Sequence, residues 1–227
     1  MEDNLIHPSV EIGVGCEIHP SVTIGAGTVV GDRVTIGENT SIEKGVEIGN
    51  DVKIGASVLL KNGVQVGAST RIDDWATLEH GVQMGERCVL GTYALLEDGV
   101  IVKDEVGIGN VTHLHAGVVV TSHSKIGGYV FIWNGALIDE SVVEDEVDIS
   151  FGCMVGGHCL ITLGTRLGIG VYVRPYARIL GNQVHIESGA TVSWGETVTH
   201  SIQSYDKSFL CRECGNRAWE KTYRKDK

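Results

Sequence analysis

The chain has 227 residues and a formal net charge of -11, with 42% hydrophobic but only 6% aromatic residues, so any core must be aliphatic. Its 31 glycines lack the every-third-residue spacing of collagen, and only 3 prolines accompany them. The acidic balance argues against nucleic acid or an anionic membrane as main partner, no apolar run reaches the roughly 18–20 residues of a membrane span, and the acidic start Met1-Glu2-Asp3-Asn4 is unlike a signal peptide; a soluble cytoplasmic protein is expected.

From Ile6 onward an aliphatic residue recurs every six positions: Ile12, Ile18, Ile24, Val30, Ile36 and so on to Ile138. After a one-residue deletion the series resumes at Val143, Ile149, Val155, Ile161, Leu167 and Val173, and one extra residue near Ile179 resets it to Leu180, Ile186, Val192 and Val198. The fifth position of each hexapeptide is small or β-branched except at Glu196, and the sixth is often polar. Positions five, six and one therefore read in-out-in, a short strand of period two. Positions two to four are rich in Gly, Asp, Asn and Glu and supply the turn. Glycines recur near every eighteenth residue, at Gly27, Gly45, Gly63 and onward to Gly152, so one coil holds three hexapeptides. The expectation is an all-β fold, a parallel β-helix of about 11 coils and roughly 50 Å at ~4.8 Å per coil.

That register places the candidate chemistry. Cys16, Cys88, Cys153 and Cys159 fall on the inward fifth position and read as core thiols. His113 is an outward sixth position, and His115 lies at the corner ending the same strand. The equivalent of His115 is Glu97 one coil below, Glu79 two below and Trp133 one above. At ~4.8 Å per coil, Glu97 and His115 are within pairing reach, and the carboxylate favours an imidazolium. His80 and Asp98 form a similar ladder at the next corner position. This corner is the densest group of side chains able to move protons. His123 and His158 share another corner two coils apart, while His7, His19, His185 and His200 are isolated in this register and read as surface residues.

The outward residues Leu59, Leu95 and Phe131 fall on one flat face; an exposed apolar stripe of this kind marks an interface, and a closed homotrimer is expected. Residues 204–227 form a second segment, a basic and aromatic tail of net charge +3 against -14 for the remainder. It contains Tyr205, Phe209, Trp219 and Tyr223, a short helix is expected from Asn216, and Cys211 and Cys214 supply half of a zinc knuckle with no second pair. The expected division is a β-helix domain over 1–203 and this tail.

Over residues 6–203 the hexapeptide pattern resembles the left-handed parallel β-helix family of hexapeptide-repeat acyltransferases. Left-handedness is implied by that resemblance alone, since parallel crossovers are ordinarily right-handed. It also implies a trimer with sites between subunits, and acyl transfer from a CoA or carrier-protein thioester. Leu78-Glu79-His80 followed by Met84-Gly85 resembles the histidine motif of sugar-nucleotide N-acetyltransferases, which makes His80 the carried-over base; His115, with Glu97 and His113, is the base suggested by clustering. The Gly-x-Pro-Ala ending of many family acetyltransferases is replaced by Arg174-Pro175-Tyr176-Ala177. By position, Arg166, Arg174 and Arg178 are the cations available for acyl-CoA phosphates.

Acyl transfer to an amine or hydroxyl needs a base and oxyanion donors, and no metal is expected. Two other classes stand beside it. A γ-carbonic-anhydrase-like metal site would use three histidines, yet position 110 is Asn where one would stand. A noncatalytic assembly or binding subunit would need only the scaffold.

Overall fold

The computed structural model describes residues 5–203, and every regular element in that span is a two-residue strand, from β1 (Glu11–Ile12) to β32 (Thr197–Val198). Each strand pairs in parallel with the strand three further along the chain, which sorts the 32 strands into three sheets of 11, 11 and 10. The result is the expected parallel β-helix. Its first face begins with β1, its second with β2 (Glu17–Ile18) and its third with β3 (Thr23–Ile24). Residues 204–227, with Cys211, Cys214, the tail aromatics and the expected helix, lie outside the described residues.

The alternation expected from the repeat is what builds the core. Ile36, Leu60, Leu96 and Ile132 are fully buried, each preceded by an outward residue. The small fifth position also has a polar task. The hydroxyls of Thr40 and Thr112 donate to the carbonyls of Gly55 and Gly127 at 2.8 and 2.7 Å, and the thiols of Cys88 and Cys153 reach Lys103 and Gly168 carbonyls at 3.0 Å. Thr, Ser and Cys thus interchange there because each carries a donor to the coil above. Burial pushes the thiols of Cys88, Cys153 and Cys159 above their ordinary pKa, which keeps them protonated and inert, as core thiols should be.

Turn carboxylates and amides lock successive coils together. Asp32 Oδ1 accepts from the Val14 N–H, and Asn50 Oδ1 from the Asp32 N–H, both at 2.8 Å. At Gly49 a side chain has no room, because a Cβ would lie 2.7 Å from the Ala68 nitrogen of the next coil.

Two corners depart from the repeat. The corner between Ile138 and Val143 is one residue short, with Glu140 at φ 36°. Between Ile179 and Ile186 the corner is one residue long, and here the structure corrects the expected register. Ile179, not Leu180, holds the inward position and is completely buried, while Leu180 opens the enlarged corner. Both residues are aliphatic, so spacing alone did not separate them. The irregularity has a cost inside: Thr165 Oγ1 is the buried side-chain polar atom left without a hydrogen bond among the described residues. The carbonyl fifteen residues ahead, which serves Thr40 and Thr112, here belongs to Leu180 in the enlarged corner.

Candidate active site

The site lies on the third face and the edge that leads from it to the first. Along that face the outward residues run Leu59, Thr77, Leu95, His113, Phe131, Asp148, Arg166 and His185, each in register with the next. The edge residue after each strand forms a second column, in which Glu79, Glu97, His115 and Trp133 follow one another. The eighteen-residue period is what sets these side chains one coil apart.

Glu97 organises the upper part of the site. Its Oε1 accepts a 2.7 Å hydrogen bond from His113 Nε2 and lies 3.1 Å from His115 Nδ1, while its Oε2 accepts the Ala116 N–H at 3.1 Å. The two imidazoles stack at 3.9 Å, and the far side of His115 stacks on Trp133 at 4.2 Å with the planes 8° apart. Trp133 is itself fixed, since its Nε1–H donates to Asp148 Oδ1 at 2.9 Å. His115 is held between two rings with 14% of its side chain exposed, against 23% for His113 and 31% for Glu97.

His80 sits one rung lower in a wetter place. Its Nδ1 lies 3.6 Å from Glu79 Oε2 and 3.5 Å from Asp98 Oδ1, its backbone N–H donates to Asp98 Oδ1 at 3.1 Å, and half of its side chain is exposed. Lys61 approaches Glu79 from below at 3.4 Å. A shallow cleft of about 320 Å³, lined by Glu79, Leu95, Glu97, Asp98 and Ala116, joins the two groups.

The expected pairing of His115 with Glu97 is therefore present, and His80 meets Asp98. The link from His113 to Glu97 and the Trp133 stack were not foreseen. Both were legible in principle, because a strand-end residue and the corner of the coil below converge whenever both side chains are long. His123 pairs with Glu105 at 2.9 Å and His158 with Glu140 at 3.4 Å on the edge between the first and second faces, away from this cluster. His7 and His19 are exposed, as expected, and each ring Nδ1 contacts the hydroxyl of the serine two residues on, Ser9 at 2.9 Å and Ser21 at 2.8 Å. Arg166, Arg174 and Arg178 are not brought together, for Arg166 is outward on the third face, Arg174 follows a first-face strand and Arg178 is outward on the second face.

Residues 1–112 match the family model described as the GMPPB C-terminal domain. No curated protein sequence matches the chain. Among solved structures, the chain is similar to UDP-N-acetylglucosamine O-acyltransferase of Moraxella catarrhalis, with 23% identity, a TM-score of 0.45, and coverage of 70% of this chain and 67% of that one. It is also similar to a mutant of perosamine N-acetyltransferase from Caulobacter crescentus in complex with CoA and GDP-perosamine, at 23% identity and a TM-score of 0.32, over 56% of this chain and 51% of that one. A third is the acetyltransferase domain of PglB from Neisseria gonorrhoeae in complex with acetyl coenzyme A, at 19% identity and a TM-score of 0.35, over 52% and 54%. The chain thus spans about half the length of the latter two. The chemistry of the chain has to rest on its own side chains.

Proposed function

We propose that this chain is an acyltransferase that moves an acyl group, an acetyl group in the simplest case, from a CoA thioester to an amine or hydroxyl of a sugar nucleotide or related small molecule, and that it works as a soluble cytoplasmic homotrimer. The observation that carries the reading is the 2.7 Å and 3.1 Å approach of His113 and His115 to one oxygen of Glu97 beside an open cleft. An ionised carboxylate only accepts, so the hydrogen bond fixes the proton of His113 on Nε2 and leaves Nδ1 as its basic atom. A proton taken from the acceptor by either imidazole is then balanced by Glu97, and the Trp133 face next to His115 adds a cation–π contribution. The sequence motif around His80 supports the same class of donor and acceptor. Among the described residues, Arg166, Arg174 and Arg178 are too scattered to form a phosphate clamp.

The test is thioester consumption by the purified protein with acetyl-CoA and a panel of amino-sugar nucleotides. His113→Ala and His115→Ala should lower turnover by ~10²–10⁴-fold with little change in donor binding, while the exposed His123→Ala and His158→Ala remain near wild type. Loss in His80→Ala with full activity in the other two would move the base to His80. No consumption by the wild type, or full activity in all three alanine variants, would overturn the assignment.

A metal reading has one specific observation in its favour. Ligand atoms of Glu97, His113 and His115 all lie within 4.8 Å of one another, and two imidazoles with a carboxylate are a donor set used by catalytic zinc. Under that reading Zn²⁺ binds stoichiometrically and His113→Ala abolishes binding. Acyl transfer by base catalysis requires instead that chelation leave turnover unchanged.

A further inference from the structure

We propose that the edge between the second and third faces is a docking strip for a proline-rich segment of another protein, held in polyproline II conformation with a basic residue one turn from its central proline. The strip stands independently of acyl transfer, since it uses none of the side chains given to that chemistry.

The strip is made of apolar residues in the left-handed corner position. Trp75, Tyr93, Val111 and Tyr129 occupy it in four successive coils, at φ 63°, 58°, 57° and 56°. A β-branched residue such as Val111 is a genuine exception in that conformation. Trp75, Tyr93 and Tyr129 are 54%, 57% and 59% exposed, so burial does not explain their presence. Apolar side chains turned to water in an uncommon backbone state mark a surface that meets a partner.

Spacing identifies the partner's shape. Trp75 stacks on Tyr93 with centroids 5.9 Å and planes 13° apart, but the smaller, half-buried Val111 then separates Tyr93 from Tyr129 and interrupts the ladder. The two tyrosine positions are two coils apart, roughly 9.6 Å, which leaves room for one compact ring over Val111. A polyproline II helix has three residues per turn and advances about 9.3 Å in that turn. Its repeat thus matches alternate coils. With one proline over Val111, the residues one turn away fall over Trp75 and Glu146. Polyproline II leaves its own carbonyls unpaired, and Asn110, whose Oδ1 accepts the Thr92 N–H at 2.9 Å, keeps its amide N–H donors for them.

Charge selects among such segments. The corner triplets 73–75, 91–93, 109–111, 127–129 and 144–146 contain Asp73, Asp74, Glu144, Asp145 and Glu146 and no Lys or Arg. Glu146 forms no ion pair or hydrogen bond through its side chain among the described residues. An acidic strip with an unpaired carboxylate one turn from the gap attracts Arg or Lys and repels phosphate and acidic peptides. A second copy of this chain does not fit, because its prolines, Pro8, Pro20 and Pro175, are scattered singly.

Fluorescence anisotropy on the full chain tests the strip, with labelled hexaproline carrying two arginines at each end as the probe. Hexaproline flanked by glutamates and a Gly-Ser peptide flanked by arginines are the comparisons. The arginine-flanked hexaproline should bind saturably and roughly 10-fold more tightly than either comparison. Tyr93→Ala, Tyr129→Ala and Glu146→Gln should each weaken it about 3- to 10-fold. Val111→Phe, which fills the gap, should abolish saturable binding while the circular dichroism melt stays native, because Trp75 and Tyr93 already hold bulky rings in the same conformation. Tyr176→Ala, on the edge between the first and second faces, should leave binding unaltered. Equal binding of either comparison peptide, no saturable binding of the probe, or wild-type affinity in Val111→Phe would overturn the assignment of this edge.

Discussion

Partial burial raises the pKa of Glu97, yet the net shift is downward, because the His113 hydrogen bond, the Ala116 N–H and the positive potential of both imidazoles together outweigh desolvation. A carboxyl held below its ordinary value when folded contributes stability that is present above the unfolded pKa and is lost as pH falls through the folded one. The window therefore lies on the acid side, from the usual glutamate range downward. Glu97→Gln removes this contribution, so its melting temperature should fall less steeply than that of the wild type as pH is lowered through that range. Thermal melts between neutral and acid pH measure the difference; parallel curves for the two proteins would show that His113 and His115 do not hold the carboxylate in solution. Among the described residues, neighbouring Asp98 contacts the exposed His80 ring and its backbone N–H. That contrast separates the two candidate bases at the level of single side chains, since a half-exposed imidazole near two carboxylates is oriented far less firmly than one stacked between two rings.

At the scale of the strand, each element contributes one inward side chain, so no element can hide a mistake. Ile48 is buried between Val30 and Val66 of adjacent first-face strands. Ile48→Asp places an unpaired carboxylate there, at a cost of several kcal/mol against a total stability of ~5–15 kcal/mol. The expected outcome is loss of cooperative unfolding by circular dichroism, with the outward neighbour change Glu47→Lys tolerated; a native melt for Ile48→Asp would refute the register. The same economy explains how much of the fold was readable beforehand. A strict six-residue period with inward Thr, Ser and Cys at the fifth position determines strand, face and coil together. It fails where chemistry is degenerate, as at Ile179 and Leu180, which are equally aliphatic. It does not by itself mark the outward column Ile101, Val119, Leu137, Met154 and Tyr172 on the first face, because the sixth position is only often polar and its apolar members carry no period of their own. The site was half legible: stacking brought Glu97 to His115, but the reach of His113 and the ring of Trp133 depend on side-chain rotamers that a period does not encode.

The whole prism has one edge unlike the other two. At most corners one residue takes the left-handed conformation, and on two edges that place is filled by side chains as different as Arg33 at φ 56°, Asp51 at 59°, Tyr93 at 58° and His123 at 63°. On the edge between the third and first faces it is glycine in every coil from Gly27 to Gly189, although a Cβ there would meet nothing within 4 Å. Neither the backbone angle nor a neighbour among the described residues requires this. A bare strip repeating at the coil spacing over roughly 40 Å suits an object of equal length and period, and a second copy of the chain is such an object. The flanking faces agree, with Leu59, Leu95 and Phe131 on one side and the apolar column from Ile101 to Tyr172 on the other. A strip of that length and about 20 Å wide amounts to roughly 800 Å² per partner, the size of a standard stable interface. The edge also borders Glu97, His115 and Trp133, so an adjoining copy closes the open side of the cleft. Light scattering of the wild type should give the mass of a trimer. Gly99→Arg with Gly135→Arg should reduce that mass while circular dichroism stays native, because arginine already occupies the same conformation at Arg33 and Arg87. Ser69→Arg, at the corresponding place on another edge with φ 57°, should leave the mass unchanged. A monomeric wild type, or a glycine-edge variant of undiminished mass, would mean that this edge is bare for a reason other than assembly.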